Sequence, residues 1–317
     1  MRGAFIRTLA ELAHNDPRIV LLTGDLGFMA LEPFSEQFPA RFFNLGVAEQ
    51  NMVGMAAGLA EAGFLPFVYS ITPFAVLRAY EFIRNGPIHH QFSVRIVGVG
   101  GGLEYGHNGL SHYGLEDVAV LRIQPSMAVV APADYQQAET ALRACWDLTG
   151  PVYFRLGKDE GSVVPGLDGR YEHGRLQEVR QGADLLLISM GNVGRHAAEA
   201  AARLAERGVE CTVAVVASVS PPPISDLVRL LTRFPAAMTV EAHYASGGLG
   251  SLVSEIVAEN GIHCRVIRNA VHSKVDGRTG SEAFMLKRHG LSSDALVAAA
   301  VEAVQCQNSH STPRSAK

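Results

Sequence analysis

Short apolar runs alternate along the first half of the chain with longer stretches that have helical character. The apolar runs predict strands at Ile19–Leu22, Leu65–Tyr69, Val94–Val99, Met127–Val130 and Val152–Phe154. The stretches between them predict helices at Met52–Ala62, Thr72–Arg84 and Asp134–Leu148. Because strands and helices alternate, the pattern predicts a mainly parallel sheet with helices on both faces.

A second alternating series follows a segment rich in Gly, Pro and Asp. It predicts strands at Leu185–Met190, Glu210–Ala217, Ala237–Glu241 and Cys264–Arg268, and helices at Val193–Arg207, Ser225–Phe234, Leu249–Asn260 and Ser292–Val304. We therefore predict an α/β fold of two domains, each a mainly parallel sheet flanked by helices. The predicted boundaries are residues 1–165 and 183–306, with a linker at 166–182 and a flexible tail at 307–317.

Composition narrows the class of protein. Of the 317 residues, 48% are hydrophobic and 18% are charged, which is enough apolar surface for large buried cores. The net charge of −4 provides no basic face for nucleic acid. The first residues lack the apolar segment of a signal peptide, and no apolar run reaches the ~18–20 residues of a membrane span. The four cysteines lack metal-ligand spacing. We expect a cytoplasmic protein that binds neither nucleic acid nor membrane.

Three glycine-rich stretches, Gly98–Gly102, Gly247–Gly250 and Thr23–Gly27, raise the question of a phosphate loop. None of them fits the P-loop pattern, and no GxGxxG follows a strand, so a nicotinamide cofactor is disfavoured. The Gly247–Gly250 cluster precedes a helix. Either an anion at the helix N-terminus or a tight turn explains it.

The run with most chemical information is Phe43–Met52, where Glu49 directly precedes the Ala- and Gly-rich stretch Val53–Ala60. The small residues indicate close approach by another helix or by a partner subunit. From the local pattern alone, Glu49 is equally a carboxylate at a helix start, where the helix dipole favours negative charge.

The segment Gly46–Gln50, GVAEQ, resembles the pyrimidine-binding domain of the transketolase family, which includes deoxyxylulose-phosphate synthase. Further resemblances follow in the same order, at Tyr69–Tyr80, Gly106–His112, Leu115–Arg122, Ala131–Asp134, Gly150–Arg155, Glu241–His243 and Gly247–Gly250. The resemblance covers nearly the whole chain. It implies transfer of a two-carbon ketol unit from a ketose donor to an aldehyde acceptor, with thiamine diphosphate and Mg²⁺ as cofactors.

The resemblance also implies which residues contact the cofactor. Glu49 would hydrogen-bond the pyrimidine ring nitrogen and share a proton with it, which activates the cofactor. Phe74 would stack on the pyrimidine, although a core aromatic is the alternative. Asp25 would lie near the cofactor at a subunit interface, with strand-end capping as its alternative. Arg78 would lie on the cofactor side.

On the substrate side, the resemblance assigns His112 a proton-relay or orienting role, with an ordinary loop histidine as the alternative. Arg155 would grip substrate phosphate, and Arg2 is a candidate for a second arginine of this kind. Tyr69 and Asn108 would line the substrate pocket.

The substrate pocket departs from the family pattern at four positions. Asn108 replaces an aspartate that contacts a donor hydroxyl, and Tyr113 replaces a glutamine. Gly100 stands where a histidine is expected, and Met29 where a serine is expected. These changes predict an altered donor or acceptor, such as a modified sugar, an unphosphorylated aldehyde or a 2-oxo acid.

The resemblance assigns the diphosphate and Mg²⁺ to a second protein surface. Thr23–Gly27 lacks the family's Gly-Asp-Gly metal motif, because its third position is Leu26. We therefore predict no metal ligand in this chain and a partner chain that carries the N-terminal transketolase domain, in an assembly containing two of each chain.

Two other functions stay open at this stage. One is the beta subunit of a 2-oxo-acid dehydrogenase, against which His112 and the Gly106–Gly109 loop argue. The other is a non-catalytic subunit like those of 2-oxo-acid ferredoxin oxidoreductases, which commonly lack an activating glutamate; Glu49 argues against it.

Overall fold

The computed structural model describes residues 1–311, and the side chains of residues 1–305. The described part forms two α/β units, each built on its own sheet. The strands are β1 (Ile19–Thr23), β2 (Phe42–Asn44), β3 (Leu65–Ile71), β4 (Arg95–Val99), β5 (Ala128–Val130), β6 (Val152–Leu156), β7 (Gln177–Arg180), β8 (Leu185–Met190), β9 (Cys211–Val215), β10 (Ser218–Ser220), β11 (Ala236–Tyr244) and β12 (Arg265–Val271).

The helices surround both sheets. They are α1 (Arg2–Asn15), α2 (Glu32–Ser35), α3 (Glu49–Glu61), α4 (Tyr80–Ile83), α5 (Asp117–Arg122), α6 (Tyr135–Cys145), α7 (Gly194–Ala205), α8 (Ile224–Leu231), α9 (Leu249–Glu259), α10 (Glu282–Arg288) and α11 (Ser293–Ser311). Two π-helical segments, Phe74–Arg78 and Arg84–Ile88, flank α4. Short 3₁₀ turns at Gly106–Asn108 and Leu110–His112 follow β4 along the chain.

The first sheet has seven strands in the order β10-β5-β6-β4-β3-β1-β2. All of its pairs are parallel except β10 with β5. Every residue of β1, β4 and β6 is buried, because helices cover both faces of the sheet. Side chains of α1 and α6 form the core on one face. Side chains of α3 pack on the other face.

The second sheet has five strands in the order β12-β11-β8-β9-β7, of which only the edge pair β7 and β9 is antiparallel. Helices α7 and α11 pack on one face. Helices α8 and α9 share a continuous apolar core with α3 of the first unit. The two domains are therefore joined through a common core as well as through the chain.

The predicted α/β class with two mainly parallel sheets is confirmed, and every predicted strand has a counterpart. Among the features that differ from the prediction, three concern the domain boundaries. Strand β7 lies inside the range predicted as linker, because its edge position requires only partial burial of a polar sequence. Strand β10 belongs to the sheet of the other domain. Helix α11 continues to Ser311, into the range predicted as tail, and residues 312–317 lie outside the described residues.

A buried arginine that is ion-paired within the first domain also hydrogen-bonds to the second. Arg155 on β6 is 3% exposed, and its Nε donates to Asp117 Oδ2 at 2.8 Å. Its Nη2 donates to the carbonyl of Gly114 at 2.8 Å and to that of Ala242 in the second sheet at 2.9 Å. The prediction that Arg155 grips substrate phosphate is wrong, because these protein oxygens already engage the guanidinium and burial hides it from ligand.

We expect Arg155→Met to lower the free energy of unfolding by about 3–5 kcal/mol, because it leaves the buried Asp117 carboxylate without its cation. Urea denaturation measures this loss. Arg143→Met is the matched control, since Arg143 pairs with Glu11 on the exposed surface, and its effect should stay within about 1 kcal/mol. Equal stability of the two variants would contradict the structural role of Arg155.

Candidate active site

Chemically interesting side chains collect at the carboxyl ends of the parallel strands of the first sheet. In such sheets, ligands bind in the crevice outside these strand ends. Strand β1 leads into the loop with Asp25, β2 precedes Glu49, β3 leads to Phe74, β4 leads to His112, and β6 leads to Lys158.

Glu49 is the first residue of α3 and is 1% exposed. Ser70 Oγ donates to its Oε1 at 3.0 Å, and Arg78 Nη1 donates to its Oε2 at 2.6 Å. A side chain at Gly24 would place its Cβ 3.4 Å from Glu49 Oε1 and 3.3 Å from the carbonyl of Gly46. The carboxylate is thus fixed by side chains from β3 and the segment after it, and Gly24 leaves it space.

Phe74 connects the surroundings of Glu49 with those of His112. The guanidinium carbon of Arg78 lies 4.5 Å from the centre of the Phe74 ring. The His112 ring lies 5.1 Å from the Phe74 ring on another side, at an interplanar angle of 69°. Phe74 and Arg78 both belong to a π-helical segment, a local geometry that is frequent at functional sites.

Glu49, Arg78, Phe74 and His112 form a row of neighbouring side chains, and Tyr105 continues it beyond His112. Its ring centre lies 5.8 Å from that of His112, and the Lys158 ammonium lies 4.1 Å from the Tyr105 ring centre. A Cβ at Gly100 would lie 2.1 Å from Tyr105 Cε2. Glycine at position 100, where a histidine was expected, is therefore required by the Tyr105 ring that covers it.

Arg2 lies near Tyr105, at the end of the row that is farthest from Glu49. Its Nε lies 3.4 Å from Glu160 Oε1, and its positive charge opposes the rise that burial causes in the pKa of Tyr105. Burial also raises the pKa of Tyr69, again against the charge of Arg2. Tyr69 is 1% exposed, beneath these groups, so this placement does not support its predicted contact with substrate.

Asp25 and Asn108 lie in exposed loops. Asn44 Nδ2 donates to Asp25 Oδ1 at 2.9 Å, and the Asp25 N–H donates to Asn44 Oδ1 at 3.0 Å. Asp25 thus makes the strand-end contact that was its alternative interpretation, while keeping an exposed position near Glu49.

Asn108 ends the 3₁₀ turn before His112 and leaves its side chain exposed. Tyr113 is buried and donates to the carbonyl of Gly106, so it supports this loop from beneath.

An apolar rim is defined here as Phe28 and Met29, in the loop after β1, and Val47, two residues before Glu49. These side chains are 74%, 93% and 73% exposed, respectively. Met29, like Asp25, has a positive φ, at 62° and 58° respectively, which few non-glycine residues adopt. A group of large apolar side chains this exposed is typical of a surface that another protein covers.

Sequence reasoning missed Ser70, Tyr105 and Lys158. Lys158 had a usable signal, since it lies two residues beyond the end of β6, where ligands of parallel sheets bind, whereas Arg155 lies inside the strand. Ser70 and Tyr105 had none, because only the fold brings them against Glu49 and Gly100.

The site is an open surface. A cavity of about 540 Å³ lies elsewhere, between the 162–166 segment and α7, and contains none of these side chains. In the described residues, no three His, Cys, Asp or Glu side chains group so as to hold a metal ion. None of the helices described through Ser311 has the length and apolar character needed to cross a membrane.

Comparison with known proteins places both domains. Residues 1–162 match the transketolase pyrimidine-binding domain, and residues 174–296 match the transketolase C-terminal domain. A putative transketolase C-terminal section from Methanocaldococcus jannaschii is 35% identical over 299 residues, covering 93% of each chain. An apulose-4-phosphate transketolase subunit from Phocaeicola vulgatus is 34% identical over 313 residues, covering 96% of this chain and 97% of that one.

A solved structure agrees with these relatives. It is described as a split gene transketolase, an inactive beta4 tetramer, and superposes with a TM-score of 0.85 at 34% identity, covering 96% of this chain and 97% of that chain. These matches favour the transketolase interpretation over the beta subunit of a 2-oxo-acid dehydrogenase and over a non-catalytic oxidoreductase subunit. The chain belongs to the transketolase family, as a subunit of the split type that contains the pyrimidine-binding and C-terminal domains.

Proposed function

We propose that this chain forms one half of a two-chain transketolase active site and that Glu49 is its cofactor-activating residue. The observation that carries the proposal is a buried carboxylate, fixed by Ser70 and Arg78, at the carboxyl ends of the parallel strands, with the exposed apolar rim on the neighbouring loops. Burying an ionised carboxylate costs free energy unless it is paired and hydrogen-bonded, so Ser70 and Arg78 are what allow Glu49 to be buried here. An open rim beside it supports a second protein that completes the site.

The family to which the chain belongs depends on thiamine diphosphate. The residues fit the pyrimidine end of the cofactor. Glu49 offers a carboxylate and Phe74 an aromatic face. Gly24 leaves free the space beside the Glu49 carboxylate that a Cβ would occupy. When bound, the cofactor supplies an electron sink for cleavage of a carbon–carbon bond. We assign its diphosphate and Mg²⁺ to the partner, because the Gly-Asp-Gly motif is interrupted here by Leu26.

Glu49 would act by sharing a proton with a ring nitrogen of the pyrimidine. Ser70 keeps Oε1 oriented, so Oε2 is the oxygen available for this proton once Arg78 releases it. Arg78 has the freedom to do so, since 38% of its side chain is exposed. Its guanidinium stays against the Phe74 ring, where a cation is favoured.

His112 is the proposed proton-transfer residue on the substrate side. Its Nδ1 lies 3.0 Å from Ser111 Oγ, which leaves Nε2 free to hold or release a proton at a substrate oxygen. The rings of Phe74 and Tyr105 lie 5.1 and 5.8 Å from its ring, so His112 is placed between two aromatic neighbours of the site.

We propose a phosphorylated sugar of unusual carbon skeleton as donor or acceptor. Lys158 and Arg2 supply two cations at the end of the row farthest from Glu49, which suits an anionic substrate terminus. Asn108, Met29 and the Tyr105 ring over Gly100 change the groups that face the sugar. A relative of similar length is named for apulose 4-phosphate, which supports a modified sugar phosphate.

The proposed partner is an N-terminal transketolase subunit, in an assembly with two copies of each chain. The name of the solved relative supports this, because four of its beta chains alone form an inactive tetramer. Activity should therefore require both chains.

Glu49→Gln should lower turnover of the assembled enzyme by roughly 10²–10⁴-fold, because the amide cannot share a proton with the ring nitrogen. Steady-state rates measure the loss, and circular dichroism should stay unchanged, since glutamine keeps the shape of the side chain. Glu61→Gln, at the exposed other end of α3, is the control. Retention of full turnover in the Glu49 variant would refute the assigned role.

Val47→Asp should prevent association with the partner, because it adds a charge to the apolar rim. Co-purification with a tagged N-terminal subunit tests this. Ile123→Asp is the matched control: Ile123 is 66% exposed, but it follows α5 and leads toward the amino end of β5, at the opposite edge of the sheet. If both variants bind the partner as well as the wild type, the rim is not the interface.

Lys158→Met should raise KM for a sugar phosphate donor by about 10–100-fold, because it removes a charge-assisted hydrogen bond. KM for hydroxypyruvate, which carries no phosphate, should change little. Lys274→Met, on an exposed loop, is the control. A similar rise of KM for both donors would argue against phosphate binding by Lys158.

A further inference from the structure

A buried carboxyl lies directly behind Lys158. Glu104 is 8% exposed and precedes Tyr105 in the chain. Both of its oxygens accept from the backbone N–H of Lys158, at 3.0 Å each. A Cβ at Gly157 would lie 3.1 Å from Glu104 Oε1, so the carboxyl packs closely against this segment. The main chain at Lys158 is therefore held by one side chain.

The same carboxyl is influenced by the second domain. Glu282, the first residue of α10, accepts from Asn192 Nδ2 at 2.9 Å and lies 3.6 Å from Arg195 Nη2. Burial, followed by the negative charge of Glu282, raises the pKa of Glu104 to about 8. Burial also raises the pKa of Glu282. Other charged groups that face the pair are the Met1 ammonium, Arg155, Lys158, Asp159 and Arg195.

We propose that Glu104 is a positioning residue that fixes the main chain at Lys158, so that the ammonium lies over Tyr105, and that this hold changes when the Glu104 carboxyl gains or loses its proton. The positional claim stands on the two hydrogen bonds and on burial. Its consequence for substrate rests on the proposed function, because only there does Lys158 bind a phosphate.

The sign of the pH dependence follows from the bond type. An ionised carboxylate accepts N–H bonds about twice as strongly as a neutral acid. The Lys158 main chain is therefore held most firmly above pH 8 and less firmly as pH falls toward 6. Global stability changes in the opposite sense. Because the pKa of Glu104 is raised, its contribution to folding is fully present below about pH 4.5 and is lost as pH rises through about 8.

Amide spectroscopy tests the positioning directly and without activity. The chain contains four lysines, so ¹⁵N-lysine labelling gives at most four backbone signals, and Lys158→Arg identifies the one from Lys158. Between pH 6 and 9 this signal should move with a midpoint near 8, the pKa of Glu104. Glu104→Gln should abolish the movement, Glu282→Gln should lower its midpoint, and Glu61→Gln should leave it unchanged.

A Lys158 signal that does not titrate, or that titrates equally in the Glu104 variant, would overturn the proposal. In the assembled enzyme, Glu104→Gln should raise KM for a sugar phosphate donor about tenfold, with little change in kcat or in KM for hydroxypyruvate. An equal rise for both donors would overturn the link to phosphate. A wild-type assembly without ketol transfer would refute the proposed function alone, since the amide titration would still decide whether Glu104 positions Lys158.

Discussion

The arrangement of the molecule depends on one buried ion pair, Arg155 with Asp117. A guanidinium in a protein interior is tolerated only when its donors find acceptors, and Arg155 finds them in both domains, at Gly114 and at Ala242. Gly114 ends the loop that carries His112. The guanidinium therefore joins the end of the His112 loop to the second sheet by hydrogen bonds.

The second domain also contributes to the site in a less direct way. The turn that begins at Gly106 packs so closely on the chain before α10 that a Cβ at this glycine would lie 2.3 Å from the carbonyl of Gly280. Glu282, two residues later, faces Glu104 from the same helix start. Among the described residues, no side chain of the second domain belongs to the row from Glu49 to Lys158. The second domain nevertheless packs against the Gly106 turn and places Glu282 near Glu104.

The sequence was informative where physical requirements are local. Largely apolar runs predicted the central strands, because a parallel sheet with two covered faces buries nearly every side chain of its inner strands. The polar edge strand β7 escaped, since an edge position imposes no such pattern. Glu49 was predicted as a site residue from the residues around it, and the structure buries its carboxylate at the carboxyl ends of the strands. Arg155 was misassigned because burial of a cation is decided by Asp117, 38 positions away. The position of Lys158 just after β6 was a signal in the sequence, but its contact with Tyr105 was not.

Strand β10 has a consequence for how the protein is produced. It leaves the second domain to pair with Val129 and Val130 on β5, the strand that would otherwise form the edge of the first sheet. Division of the chain at the linker would expose the backbone groups of β5, and such an edge pairs readily with other chains. The two domains are thus expected to be expressed and truncated together.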